Sequence, residues 1–375
     1  MLVKKGSGKM RLKQKDGESC LDKVEIKRLW ELNCKESFNI ICVGNLFRQN
    51  GMALVTGGED AIVRCYNLTP SGSLAAQVPQ VTLETKSGPI QTMVIHDMTK
   101  FYNNDLIVGD SQGSLTVICN QQILSRQNVS PCSINTLQVY HDTAGTSSVV
   151  MCNDSGLVSA VLPSSEQWRV DLNSSASVPV SSVSHLTVTS LLTAELVDQH
   201  GRECNYVLVA DNAGHIFILN QGVVVMVLTA PAPVTAMCRG RFVAADKLDL
   251  SSPGKDAPPA PAITSKHCHQ VALGTQTGAI YLLHSFTITV DEFANAQSKV
   301  NNIATLSRPE SETDMLLCSG QFNHLNAYQD GQLVAEFQTP DWINSLVVAD
   351  IDNDGVPEAI VGCLDNSVHA MKILP

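Results

Sequence analysis

Apolar residues in this chain recur in a fixed phase: a run of three, a small residue, a polar turn, then an alternating apolar strand. The unit is found seven times, at residues 53–66, 106–117, 149–160, 207–218, 271–282, 315–328 and 359–370. Unbroken apolar triplets suit a strand covered on both faces, and the Asp, Asn and Gly residues of the turn tolerate positive φ, so each unit predicts a β-hairpin. Ahead of every hairpin stands another short apolar segment, at residues 40–46, 90–96, 134–140, 180–188, 234–238, 303–306 and 343–349. Behind several stands a fourth, at residues 167–172, 223–228 and 333–337. The repeat is therefore a four-stranded sheet.

The two ends of the chain fit each other. Residues 27–32 read as a fourth strand with no sheet of their own, whereas the last hairpin ends at Leu374 after only a third strand. Pairing the two closes a ring of seven sheets and removes the exposed edge at the seam. The pattern predicts an all-β, seven-bladed β-propeller filling residues 21–375 as one domain. Two stretches fall outside the rhythm. Residues 1–20 are basic and residues 244–266 are rich in Pro, Ser and Ala; both are expected to be disordered, the second as a loop inserted between the first two strands of blade five.

Charge and cysteine content narrow the function. With 25 Lys+Arg against 36 Asp+Glu the net charge is −11, which disfavours a nucleic-acid backbone as partner. The 12 cysteines are scattered without a Cys-x-x-Cys, as expected of reduced thiols. Neither an apolar signal region nor a run long enough to span a bilayer is present, so the expected setting is the cytoplasm, with any membrane contact peripheral and through partners. The Asn-x-Ser/Thr sequons at Asn67, Asn128, Asn153 and Asn173 then carry no weight.

One motif has a specific chemistry. Asp350, Asp352, Asp354 and Glu358 stand at positions 1, 3, 5 and 9 of a loop with Gly355 at position 6, the spacing with which carboxylates surround a hard cation such as Ca²⁺. Val361 at position 12 and flanking strands exclude an EF-hand. The alternative is that the same carboxylates cap the turn's own backbone, with no metal; on that reading no cofactor is required. His267, Cys268 and His269 alternate across a strand, which separates the cysteine from both histidines and argues against zinc. No nucleophile elbow or phosphate loop accompanies the remaining histidines, so no catalytic residues are assigned and an enzyme is not expected.

The loop and the apolar triplet that follows it, residues 341–362, resemble the FG-GAP (integrin-α type) repeat. The stretch is similar to blades of intracellular FG-GAP proteins: the integrin-alpha FG-GAP repeat-containing family, kaptin and the propellers of Bardet–Biedl syndrome proteins. Residues 207–238 are similar to a Bardet–Biedl blade. The resemblance implies a non-catalytic scaffold, one subunit of a multiprotein complex. It points either to a ciliary cargo coat (BBSome-like) or to a lysosome-associated, nutrient-sensing assembly that restrains TOR (KICSTOR-like).

Overall fold

The computed structural model describes residues 11–12, 24–47, 51–142, 145–174, 186–197, 203–244, 248–249, 270–308 and 311–374. Seven antiparallel sheets stand in sequence order. Blade one comprises Ile40–Asn45, Met52–Gly57, Ile62–Asn67 and Val81–Glu84; blade two Ile90–His96, Asp105–Asp110, Ser114–Cys119 and Gln122–Asn128. Blade three comprises Ile134–His141, Ser147–Asn153, Leu157–Val161 and Glu166–Asp171; blade four Val188–Val197, Glu203–Asp211, His215–Asn220 and Val223–Thr229. Blade five has Val234–Gly240, Gln270–Thr275 and Ala279–His284, with an outer strand split into Thr287–Ile288 and Ala294–Asn295. Blade six is Val300–Leu306, Met315–Gly320, Phe322–Gln329 and Gln332–Gln338. Blade seven takes Ile343–Ala349, Glu358–Cys363 and Ser367–Leu374 from the end of the chain and Glu25–Asn33 from its beginning. The innermost strands touch in order around the ring, and that of blade seven touches that of blade one. The fold is thus the seven-bladed propeller that the repeat predicts.

The apolar triplets became the second strands, buried on both faces as in Asp105–Asp110 and Gln270–Thr275. Their turns are built by side chains. Oδ1 of Asp110 accepts from the backbone N–H groups of Gln112 and Ser114, both at 2.9 Å. Asn153 and Asp211 repeat the arrangement in blades three and four. Each of these turns ends in a glycine with φ between +79° and +86°, a region that a Cβ disfavours.

Between blades, polar side chains of the inner strands reach the neighbouring backbone. Asn39 donates to the carbonyl of Ile90 (2.9 Å), Thr189 to that of Val234 (2.5 Å), Thr235 to that of Val300 (2.6 Å) and Asn344 to that of Phe38 (2.9 Å). Thr92 accepts from the N–H of Leu137 (3.2 Å), Thr193 donates to Val139 (2.8 Å) and Asn302 to Ile343 (3.4 Å). Every one of the seven interfaces is latched in this way. Six inner strands carry a register shift just after their first residue, between Ile90 and Thr92, Ile134 and Thr136, Val188 and Ser190, Val234 and Ala236, Val300 and Asn302, and Ile343 and Ser345. A bulge re-aims the residue it displaces, and Thr189, Thr235 and Asn344 are displaced residues that point across the gap.

The seam closes as the sequence implied. Glu25–Asn33 pairs antiparallel with Ser367–Leu374, placing buried Leu32 opposite buried Val368. The indole N–H of Trp30 donates to the carbonyl of Gly72 in blade one at 2.7 Å, so the closing strand grips both sides of the seam. The inner strand of blade four runs Val188–Val197, beginning where the segment 180–188 was expected to end; residues 180–185 of that segment lie outside the described residues. The three tryptophans recur in sequence at strand-pairing positions where packing is expected; Trp30 and Trp168 pack, but Trp342 lies before its strand and is exposed. Much of the expected disordered stretches 1–20 and 244–266 lies outside the described residues, but Arg11–Leu12 pairs with Leu248–Asp249. Among the described residues no helix is long and apolar enough to cross a membrane.

Two predictions follow from this packing. Thr235→Ala and Asn344→Ala each remove one inter-blade bond and should lower unfolding free energy by about 1 kcal/mol in urea, against no more than a few tenths for exposed Thr229→Ala. His284 and His369 are buried neutral, each held below the ordinary histidine value by burial; His369 also faces Glu31, Arg28 and Asp365. The unfolded chain therefore takes up protons first, and stability is full above about pH 6.5 and falls as pH drops through the lower folded values. Thermal melts between pH 7.5 and 5.5 should show this fall, and His369→Gln should flatten it.

Candidate functional site

The carboxylate loop connects the first two strands of blade seven, and its shape is set locally. Asp350 accepts from the N–H of Asp354 at 3.2 Å and of Gly355 at 2.9 Å; Asp352 accepts from Asp354 at 3.2 Å and Asp354 from Val356 at 2.9 Å. Gly355 has φ +87° with open space where a Cβ would stand, so glycine is needed for its backbone conformation and not for clearance. Glu358 begins the next strand fully buried, and its Oε2 accepts from the N–H of Ile351 at 3.0 Å. The carboxylates thus cap the turn's own backbone, and three of the four also converge.

Oxygens of Asp350, Asp352 and Glu358 lie within 4.8 Å of one another, and this is the one such group of metal-ligating side chains among the described residues. Asp354 is outside that group but shares a partner with it. The Lys372 ammonium, arriving from the strand Ser367–Leu374, lies 3.1 Å from Asp352 Oδ2, 2.5 Å from Asp354 Oδ2 and 2.8 Å from Glu358 Oε1. Burial pushes the Glu358 carboxyl up, and the hydrogen bonds from Lys372 and Ile351 pull the other way. Asp354 is held below the usual carboxylate range by its hydrogen bond from Lys372 and by the N–H of Val356. For Lys372 itself burial works against the charge, yet its bonds to Asp354, Glu358 and Asp352 outweigh that and hold the ammonium above its ordinary value. Sequence reasoning missed Lys372. The signal was present: a lysine interrupting the largely apolar run Val368–Leu374 two residues before the end of the last core strand.

The loop also belongs to the seam. Ile351 is buried and, with Asp352, stands 3.0 to 3.1 Å from where a Cβ on Gly72 would lie; the carbonyl of Gly72 is the one that Trp30 grips. A methyl group there would push the loop and the closing strand apart.

A second surface feature lies on the rim of blade two. The loop after Ile90–His96 presents Phe101 and Tyr102, 57% and 97% exposed, beside Ile123 and Leu124 of the outer strand. Phe101, Ile123 and Leu124 line a recess of about 250 Å³ with Asn103, Cys119, Asn120 and Gln122. Lys100, Tyr102, Asn120 and Gln121 all have positive φ, so the aromatic pair is displayed by a tightly turned backbone. Among the described residues, burial pushes the Cys65, Cys152 and Cys238 thiols up to about 12 and Cys363 to about 11, which leaves them protonated and poor nucleophiles. The sequence His267-Cys268-His269 lies outside the described residues.

Gly355→Ala should cost about 1 kcal/mol of unfolding free energy, since only the left-handed backbone is strained, and Gly355→Asn should cost less. Denaturant unfolding of the two variants checks the order.

No known family's sequence profile matches the chain, and no curated protein matches it by sequence. Solved structures do. BBS1N in complex with ARL6DN, from a mercury-soaked crystal, superposes with a TM-score of 0.66 at 12% identity, covering 93% of this chain and 96% of that one. A lead-soaked crystal of the same complex gives 0.66 at 12% identity, covering 93% and 97%. The WD40 β-propeller domain of Doa1 gives 0.61 at 12% identity, again covering 93% and 97%. At such identity the likeness shows the fold, a propeller of matching extent from end to end.

Proposed function

We propose that this propeller is a non-catalytic protein-interaction scaffold, one subunit of a hetero-oligomeric complex of the ciliary cargo-trafficking type. The observation that carries the reading is the end-to-end likeness to BBS1N, a propeller solved with a partner protein bound. The blade-two rim supports it: a fully exposed tyrosine and a half-exposed phenylalanine, held beside an apolar recess, are what a partner's side chain needs as an anchor. The resemblance of residues 341–362 to intracellular FG-GAP blades supports a second assembly, the lysosome-associated, TOR-restraining complex. On either reading the chain works in the cytoplasm and reaches membranes through its partners, at the ciliary base or the lysosomal surface.

Affinity purification of the tagged full-length protein at native abundance, with mass spectrometry of co-eluting chains, tests this. Stoichiometric ciliary coat subunits support the first assembly, lysosomal nutrient-sensing subunits the second, and a chain that elutes alone contradicts both. The double variant Phe101→Ser, Tyr102→Ser should melt within a degree or two of wild type and lose its partners by tenfold or more.

A further inference from the structure

We propose that the loop spanning residues 350–358 is a cation cage whose resident cation is the ammonium of Lys372, and that removing this ammonium opens a site for a divalent cation. The charge arrangement is the first ground. An ammonium carries three donors, and Lys372 meets three carboxylates, at 3.1 Å on Asp352, 2.5 Å on Asp354 and 2.8 Å on Glu358. The fourth carboxylate, Asp350, accepts from the N–H groups of Asp354 and Gly355 and so shapes the loop, with an oxygen still within 4.8 Å of those of Asp352 and Glu358.

The second ground is burial. The side chain of Glu358 is fully buried and that of Lys372 only 12% exposed, so this is not a surface pair of the kind that contributes little. Glu358 Oε1 has no hydrogen-bond donor other than this ion-pair partner, and a carboxylate taken out of water without a counter-charge is strongly destabilising. The Lys372 ammonium, 2.8 Å away, supplies that counter-charge. Met371 and Ile373, the neighbours of Lys372, are buried in the core between blades six and seven, so strand alternation fixes Lys372 on the opposite face, towards the loop. The lysine is thus delivered by the same strand that the N-terminal segment pairs with to close the ring.

The third ground is what the cage holds down. With Asp352 and Glu358 tied to the last strand, Ile351 stays beneath Gly72 and Gly72 keeps its bond from Trp30. A covalently tethered cation does this at any Ca²⁺ concentration. Without Lys372, the converging carboxylates of Asp350, Asp352 and Glu358 are oxygen ligands of the kind that Ca²⁺ accepts.

The test uses the full chain, with Ca²⁺ and Mg²⁺ added alone, calorimetric titration and thermal melts in EDTA. Wild type should show no binding heat and no melting shift up to 1 mM of either ion. Lys372→Met should melt lower than wild type in EDTA, bind one Ca²⁺ per chain and recover part of the loss on Ca²⁺ addition. The double variant Lys372→Met, Glu358→Gln should melt higher than the single variant in EDTA and show no such recovery. Stoichiometric Ca²⁺ binding by wild type, or a single variant that stays as stable as wild type or ignores Ca²⁺, overturns the proposal. Should Lys372→Met not fold, acetic anhydride labelling of native wild type decides: Lys372 should react at least tenfold more slowly than exposed Lys27, its cross-strand neighbour, and equal rates overturn the cage.

Discussion

A ring of sheets has one place where the chain cannot continue into the next blade, and there the structure relies on the ladder between Glu25–Asn33 and Ser367–Leu374. Without it the third strand of blade seven would present a row of unpaired backbone groups over buried Val368, Ala370 and Ile373, an edge that invites pairing with other chains. With it, blade seven is as complete as the rest, and the loss of chain entropy in closing the ring is offset by burial that spans the seam. Trp30, Leu32, Phe38, Leu54, Ile351 and Ile360 form one apolar cluster drawn from both ends of the sequence. The Lys372 cage and the bond from Trp30 to Gly72 lie on this same cluster, so polar fastening is added where covalent continuity is missing.

Elsewhere the ring is held by repetition. At four of the blades an apolar residue followed by a polar one stands at or just before the start of the inner strand: Phe38-Asn39, Val188-Thr189, Val234-Thr235 and Ile343-Asn344. The apolar member packs, and the polar member crosses to the next blade. At Thr189, Thr235 and Asn344 the crossing residue is the one a bulge displaces, whereas Thr92, Thr193 and Asn302 cross from regular ladder positions.

Much of this could be read from the sequence because it is periodic. The apolar triplets, the Asx turns at Asp110, Asn153 and Asp211, and the orphan strand at the N-terminus follow from local rules about burial, positive φ and strand pairing. What could not be read depends on contacts between distant segments. The outer strands of blades one, two and five are too short or too polar to announce themselves. In the carboxylate loop the acidic residues were plain from their spacing. Lys372 was not, since fourteen residues separate it from Glu358 and only the register of two strands brings them together.

The rim of blade two was equally silent, because Phe101 and Tyr102 read in sequence as ordinary loop aromatics; their exposure emerges only once the surrounding strands have taken all the apolar positions the core needs. Rigid ring and displayed aromatics together describe a platform, and the platform depends on the seam. Hydrogen–deuterium exchange of the full-length chain tests that dependence most directly. If the seam is integral to one cooperative ring, amides of Glu25–Asn33 facing Ser367–Leu374 exchange together with those of the second strands, through global unfolding. If they exchange orders of magnitude sooner while the remaining blades stay protected, the closing strand is an appendage and the account of the ring is wrong.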